Sequence, residues 1–138
     1  MLMRAAIIAI LSYAPDPQHA LNTRLGAERE ADIIIHVGKV YGLTQDQIIE
    51  AAAVRRVENG RPGSECGVGS EDPTHAAHRF ADDPVKSLEC QVTWLAGSIK
   101  HHAPETLESF AKRWVPNDWD NWKKNVAWYL RRFEGKGQ

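Results

Sequence analysis

The chain has 138 residues, 43% of them hydrophobic and 25% charged, with a formal net charge of −1. That is the size of a single domain able to bury its own core without a metal or disulfide scaffold. A charge so close to zero excludes a global field drawing the protein to nucleic acid or an anionic membrane.

The first residues, Met1-Leu2-Met3-Arg4 followed by an apolar run from Ala5 to Leu11, faintly resemble a signal peptide. The run is at the lower limit for an h-region and far short of the ~20 residues that span a bilayer. It reads as a first helix over residues 2–13, part of the folded domain, broken by Pro15 and Pro17. A second helical pattern covers 18–41, with Leu21, Leu25, Ile33, Ile34, Val37 and Tyr41 on its core side and Gly42 as its stop.

The next helix has the clearest local signature. Thr44 and Gln47 stand at capping-box spacing, and the helix should run to about Asn59 and stop at Gly60. Ile48, Ile49, Ala51, Ala52, Ala53, Val54 and Val57 nearly encircle it, so it reads as a buried central helix. Residues 60–83 show no period and predict a long loop, with a small hairpin within 61–72. Asp83 and Pro84 open another helix, carried by Leu88, Val92, Leu95 and Ile99 as far as Pro104. A helix containing Leu107, Phe110, Ala111 and Trp114 follows, and the last runs from about Asn121 to Phe133. The prediction is an all-α (mainly α) fold, with residues 1–138 as one domain.

Glu58, in the last turn of the central helix, is the residue best placed for chemistry. A helix C-terminus carries partial negative charge, which makes an acid there locally unfavourable. General acid catalysis calls for a carboxyl that arrives protonated, and glycosidic bond cleavage needs such a donor. The bland alternative is an ion pair with Arg55 at i−3, or a solvated carboxylate. Glu65, Glu71, Asp72, Asp82 and Asp83 lie in the loop beyond, and none stands out by spacing as a second carboxylate.

Other constellations are weaker. Of the five tryptophans, Trp114, Trp122 and Trp128 sit at helical spacing and read as core, whereas Trp119 lies in the polar turn Pro116-Asn117-Asp118-Trp119-Asp120 and reads as exposed. His75 and His78 stand at i, i+3, and His101-His102 adds a pair, but there is no His-Glu-X-X-His, so they read as surface histidines and no metal is expected. Lys123, Lys124, Arg131 and Arg132 read as a solvated helix face. Cys66 and Cys90 are too few for a disulfide framework; they could pair once in an oxidising compartment, and the favoured reading is reduced, semi-buried thiols.

The segment from Val54 to Val68, containing Val57-Glu58-Asn59-Gly60, resembles the catalytic-glutamate region of phage-type lysozyme-like and transglycosylase-like domains. The run from Ser87 to Ile99 resembles that group's next helix. Phe110 to Asp118, followed by Asn121-Trp122-Lys123-Lys124-Asn125-Val126, resembles its closing region. The match covers roughly residues 44–133. The Gly-Leu-Met-Gln signature of soluble lytic transglycosylases is absent, and Gly67-Val68-Gly69-Ser70 is a loose stand-in.

The resemblance implies a lysozyme-like domain that cleaves the β-1,4 bond of peptidoglycan glycan strands, either lytically or by hydrolysis. Glu58 would be the general acid. Asn59, Gly67, Gly69, Ser70 and Trp119 would position the substrate, with no cofactor. It also implies a phage origin, with action on the cell wall from a virion or in the host envelope. The competing reading from another class is a catalytically silent lysozyme-like module that serves as a virion structural component and binds protein partners.

Overall fold

A computed structural model describes residues 2–60, 62, 65, 80 and 82–133. Among these residues the fold is all-α, with six α-helices: α1 (Leu2–Ser12), α2 (Ala27–Val40), α3 (Gln45–Glu58), α4 (Pro84–His102), α5 (Leu107–Trp114) and α6 (Trp119–Arg132). A 3₁₀ turn, Pro17–His19, follows α1. The hairpin expected within 61–72 lies almost wholly outside the described residues, as do Gly67, Gly69, Ser70, His75 and His78.

Helix α3 is the centre of the molecule, touching α1, α2, α4 and α6. Its start is the capping box read from the sequence: Thr44 Oγ1 accepts from the Gln47 amide at 3.2 Å, and Gln47 Oε1 accepts from the Thr44 amide at 2.9 Å. Every residue from Ala51 to Arg56 is buried. Around it pack Met3, Ile7 and Leu11 of α1, Ala31 and Ile34 of α2, Leu88, Val92 and Leu95 of α4, Phe110 of α5, and Trp122 and Val126 of α6. Truncating one such large side chain to Ala typically costs about 2–5 kcal/mol. Helices α2 and α3 approach closely at Gly38, where a Cβ would fall 2.6 Å from Ile48 Cγ1. Gly42, at φ 73°, ends the α2 turn as expected. Since α1 contributes side chains to this core, it packs as a structural helix of the fold. No helix among the described residues is long and apolar enough to cross a membrane.

Several expected boundaries shift, each for a local reason. The second helix starts at Ala27 rather than near residue 18. Asp16 Oδ1 accepts from the amides of Gln18 and His19, and Thr23 Oγ1 accepts from those of Leu25 and Gly26. Short polar side chains there compete with helical bonding for the backbone. Leu21 and Leu25 still pack on the core, from irregular backbone. The last helix starts earlier than expected, so that Trp119 is its first residue rather than part of a polar turn.

The thiol expectation is corrected. Cys90 is disulfide-bonded. Two cysteines fall short of a framework, but one bridge needs no more than two, and spacing alone gave no view of their proximity. Cys66 lies outside the described residues.

Candidate active site at the end of the central helix

The end of α3 is built by its own polar residues. Asn59 adopts the left-handed conformation (φ 45°, ψ 39°), and its N–H closes on the Arg55 carbonyl at 3.0 Å. Asparagine is among the few non-glycine residues that take this conformation readily, so the turn occurs one residue before the expected Gly60. Asn59 Oδ1 accepts from the Asn22 amide at 2.8 Å, and its carbonyl accepts from Asn22 Nδ2 at 2.9 Å. Its own Nδ2 donates to the Ala20 carbonyl at 3.1 Å. The side chain proposed from the resemblance to hold substrate therefore latches the 20–22 segment to the helix end.

Two arginines continue that latch. Arg55, fully buried, forks onto Glu30 of α2, with Nε–Oε1 at 2.8 Å and Nη2–Oε2 at 3.0 Å, and Nη2 also donates to the Asn22 carbonyl at 2.7 Å. Arg56 donates through Nε and Nη2 to the Tyr13 carbonyl and through Nη2 to the His19 carbonyl. The ion pair between Arg55 and Glu58 weighed above is thus not formed, because Arg55 turns into the core toward Glu30.

Glu58 turns instead toward α5 and α6. Trp114 Nε1 donates to Glu58 Oε1 at 3.0 Å, and Trp122 Nε1 donates to the same oxygen at 3.3 Å. Phe110, 1% exposed, holds both indoles: it meets Trp114 edge-on at 5.7 Å and Trp122 at a tilt at 5.4 Å between centroids. An indole N–H can only donate, so Oε1 is fixed as an acceptor. Among the described residues Oε2 has no hydrogen-bond partner, and the side chain is partly exposed. A proton on this carboxyl therefore belongs on Oε2. One oxygen is clamped and the other carries no hydrogen bond among the described residues.

The remaining candidates fall as follows. Glu65 is 2% exposed, close against Gly60, and its amide donates to Ser87 Oγ at 3.1 Å. Asp83 spends its carboxylate capping α4 through the Lys86 amide at 3.1 Å. Asp82 is exposed, and Glu71 and Asp72 lie outside the described residues. Trp119 is not the exposed indole expected: it is half-buried on the core, with Lys112 Nζ 4.7 Å above its ring. The exposed indoles are Trp94, 64% accessible, and Trp128, 38% accessible. The latter corrects its reading as core. Lys123 and Lys124 pair with Glu108 and Asp120 at 3.3 Å each.

Sequence reasoning missed Trp114 and Trp122 as partners of Glu58, because the contact joins helices far apart in the chain. It also missed the Arg55 and Arg56 clamps. A signal was present there: two arginines on a helix with no solvated face must be buried, and a buried guanidinium requires partners.

Glu50, on the same helix, is a second carboxyl in an unusual setting. Burial, then the nearby Glu105 carboxylate, push it up to about 7, against the opposing pull of Arg113. It lies roughly 12 Å from Glu58 along α3 at 1.5 Å per residue, and so belongs to a separate cluster.

Comparison with known protein families, curated proteins and solved structures finds no match to this chain.

Proposed function

We propose that the protein cleaves the glycan strand of peptidoglycan at the β-1,4 bond between aminosugars, with Glu58 as general acid. The observation that carries this reading is the one-sided clamp on Glu58: among the described residues, two indole donors reach Oε1 and none reaches Oε2. The sequence resemblance of residues 44–133 to lysozyme-like domains supports the choice of substrate.

In the first step Oε2–H transfers its proton to the glycosidic oxygen as the bond to the anomeric carbon breaks, leaving an oxocarbenium-like centre. Charge then develops on the Glu58 carboxylate, where two preorganised N–H dipoles already point. In the second step the carboxylate accepts a proton from the nucleophile that attacks the anomeric carbon. If the nucleophile is the sugar's own 6-hydroxyl, the product is a 1,6-anhydro end; if it is water, the product is a reducing end. Only one carboxyl is required for the lytic route.

The test is to digest isolated peptidoglycan with wild-type protein and Glu58→Gln and analyse the soluble fraction by mass spectrometry. Wild type should release muropeptides and the variant should release at least a hundredfold less. No release by folded wild type would reject the enzyme and favour the binding module, and equal release by both would remove Glu58 as the acid.

A further inference from the structure

A cavity of about 550 Å³ opens beside the end of the Glu58 helix. Its walls come from three places: Tyr13, Pro15, Gln18 and His19 before α2, Arg56, Val57 and Asn59 at the end of α3, and Asn125, Trp128 and Tyr129 on α6. The volume falls within the range of small-ligand sites, and the mixture of aromatic faces with a few polar groups is typical of them.

Arg56 is the unusual member. It is 4% exposed, yet no carboxylate among the described residues pairs with it. Its Nε and Nη2 are spent on the carbonyls of Tyr13 and His19, and its guanidinium carbon lies 5.5 Å from the Tyr129 ring centroid. Among the described residues Nη1 makes no hydrogen bond, and it is not one of the buried polar atoms closed off from solvent. Arg56 itself is one of the residues that line the cavity. Burying a cation without a counter-charge is costly, and carbonyl dipoles and one ring offset that cost only in part.

A second guanidinium stands over the cavity's aromatic wall. Arg132 lies 5.1 Å from the ring centroids of both Tyr13 and Trp128, and it too has no acidic partner among the described residues. Asp16, next to the lining residue Pro15 in the chain, is occupied by His19 Nδ1 at 2.7 Å and by the amides of Gln18 and His19. The side-chain amides of Gln18 and Asn125 make no hydrogen bond among the described residues.

We infer that this cavity is a binding site for a carboxylate carried on a sugar or peptide body. Arg56 Nη1 takes the carboxylate, the faces of Tyr13, Trp128 and Tyr129 take the apolar part, and Gln18 and Asn125 bond the amides. With Nε and Nη2 spent on carbonyls, Nη1 is the guanidinium nitrogen left to make a charge-assisted hydrogen bond to a carboxylate. Under the proposed function, on which this identification of the source rests, the carboxylate is that of the stem peptide carried by the sugar strand, since Val57 and Asn59 place the cavity directly beside Glu58.

The experiment is isothermal titration of N-acetylmuramyl dipeptide, its carboxyl-amidated form, N-acetylglucosamine and succinate into wild type, Arg56→Lys, Trp128→Ala and Glu58→Gln. The free-acid dipeptide should bind wild type and Glu58→Gln equally. It should bind at least tenfold more weakly when amidated and in both cavity variants, while N-acetylglucosamine shows no dependence on Arg56. Arg56→Lys keeps the charge but removes the Nη1 donor, and if it fails to fold, the exposed Trp128→Ala carries the test. Equal binding of the acid and amidated forms, or no binding of any carboxylate probe, overturns the site. Binding of succinate but not of the dipeptide sustains a carboxylate site and overturns the stem-peptide source. Because Glu58→Gln leaves this binding intact, loss of the site and loss of the enzyme reading are separate results.

Discussion

Trp114 Nε1 and Glu58 Oε1 stand 3.0 Å apart although 56 residues separate them in the chain. The contact ties α5 to the end of α3, and Trp122 repeats it from α6 at 3.3 Å. Because both donors reach one oxygen, the carboxyl has a defined orientation rather than a free rotor. If Glu58 is the acid, Trp114→Phe should lower turnover of peptidoglycan about tenfold to a hundredfold, the range expected for losing a hydrogen bond of about 1.5–3 kcal/mol to a charged group. KM should change little, since the indole touches the acid rather than the sugar. Trp122→Phe should show a smaller loss, in line with its longer bond. Turnover unchanged in both variants would show that the clamp has no part in the chemistry.

Behind that carboxyl, the Arg55–Glu30 pair fastens α3 to α2 with both side chains buried. Removing one partner leaves a buried charge unmatched, which typically costs about 3–5 kcal/mol, whereas replacing both by apolar residues of similar volume is often near neutral. Arg55→Met alone should therefore lower the free energy of urea unfolding by that amount, and Glu30→Leu with Arg55→Met should recover much of it. A single variant that loses under about 1 kcal/mol would mean that the pair is solvated in a way its burial does not suggest.

Asn59 combines two contributions that substitutions can separate. Asn59→Gly keeps the left-handed conformation and loses the bonds to Asn22 and Ala20. Asn59→Ala loses those bonds and adds the strain of a Cβ at positive φ, which costs about 1–2 kcal/mol. Alanine should be the less stable of the two by roughly that margin in thermal or urea unfolding. Equal midpoints would show that the helix end relaxes to another conformation when the latch is cut.

The sequence reading was strongest where the determinants are local. Thr44 with Gln47, Asp83 with Pro84 and Gly42 each act within a turn of their own helix, and each does what its residue type predicts. The apolar encirclement of α3 by Ile48, Ala51, Ala52, Ala53 and Val54 likewise marked a central helix before any neighbour was known. The reading failed where a side chain's partner is distant. Trp119 looked exposed because its neighbours in sequence are polar, and Trp128 looked buried alongside Trp122, although a step of six residues turns it roughly 120° away around the helix. Their surroundings are set by how α6 lies on α3, α5 and Tyr13, which no window of sequence contains. Glu58 was singled out for its place at a helix end, but the feature that orients it, the pair of indoles, is a tertiary contact.

The bond at Cys90 gives a further handle, because a bridge constrains the unfolded chain and so stabilises the folded one, typically by about 2–4 kcal/mol. Thermal unfolding with and without a thiol reductant should show a clear drop in midpoint on reduction, and Cys90→Ser should start at the lower value and ignore the reductant. A wild-type midpoint indifferent to reductant would indicate that the bridge adds no net stability.

Glu50 makes the stability of the fold depend on pH in a direction that can be worked out. Its carboxyl rises from an ordinary 4.5 to about 7 in the folded protein, chiefly because of burial and then because of Glu105. Below about 4.5 both folded and unfolded chains hold the proton, and the stability linked to this group is fully present. As pH climbs from 4.5 to 7 the unfolded chain gives up its proton while the folded one keeps it, so unfolding is progressively favoured; above 7 both are ionised and the loss levels off. The full loss is of the order of 3 kcal/mol. Glu105, held below the ordinary carboxylate range by Arg113 and Ser109, acts with the opposite sign and at lower pH. The urea midpoint of wild type should therefore fall between pH 5 and 7.5 relative to that of Glu50→Gln, which cannot titrate there and should be the more stable protein at pH 8. Parallel midpoints across that range would mean that Glu50 is hydrated, and that the cluster with Glu105 and Arg113 opens to water without cost.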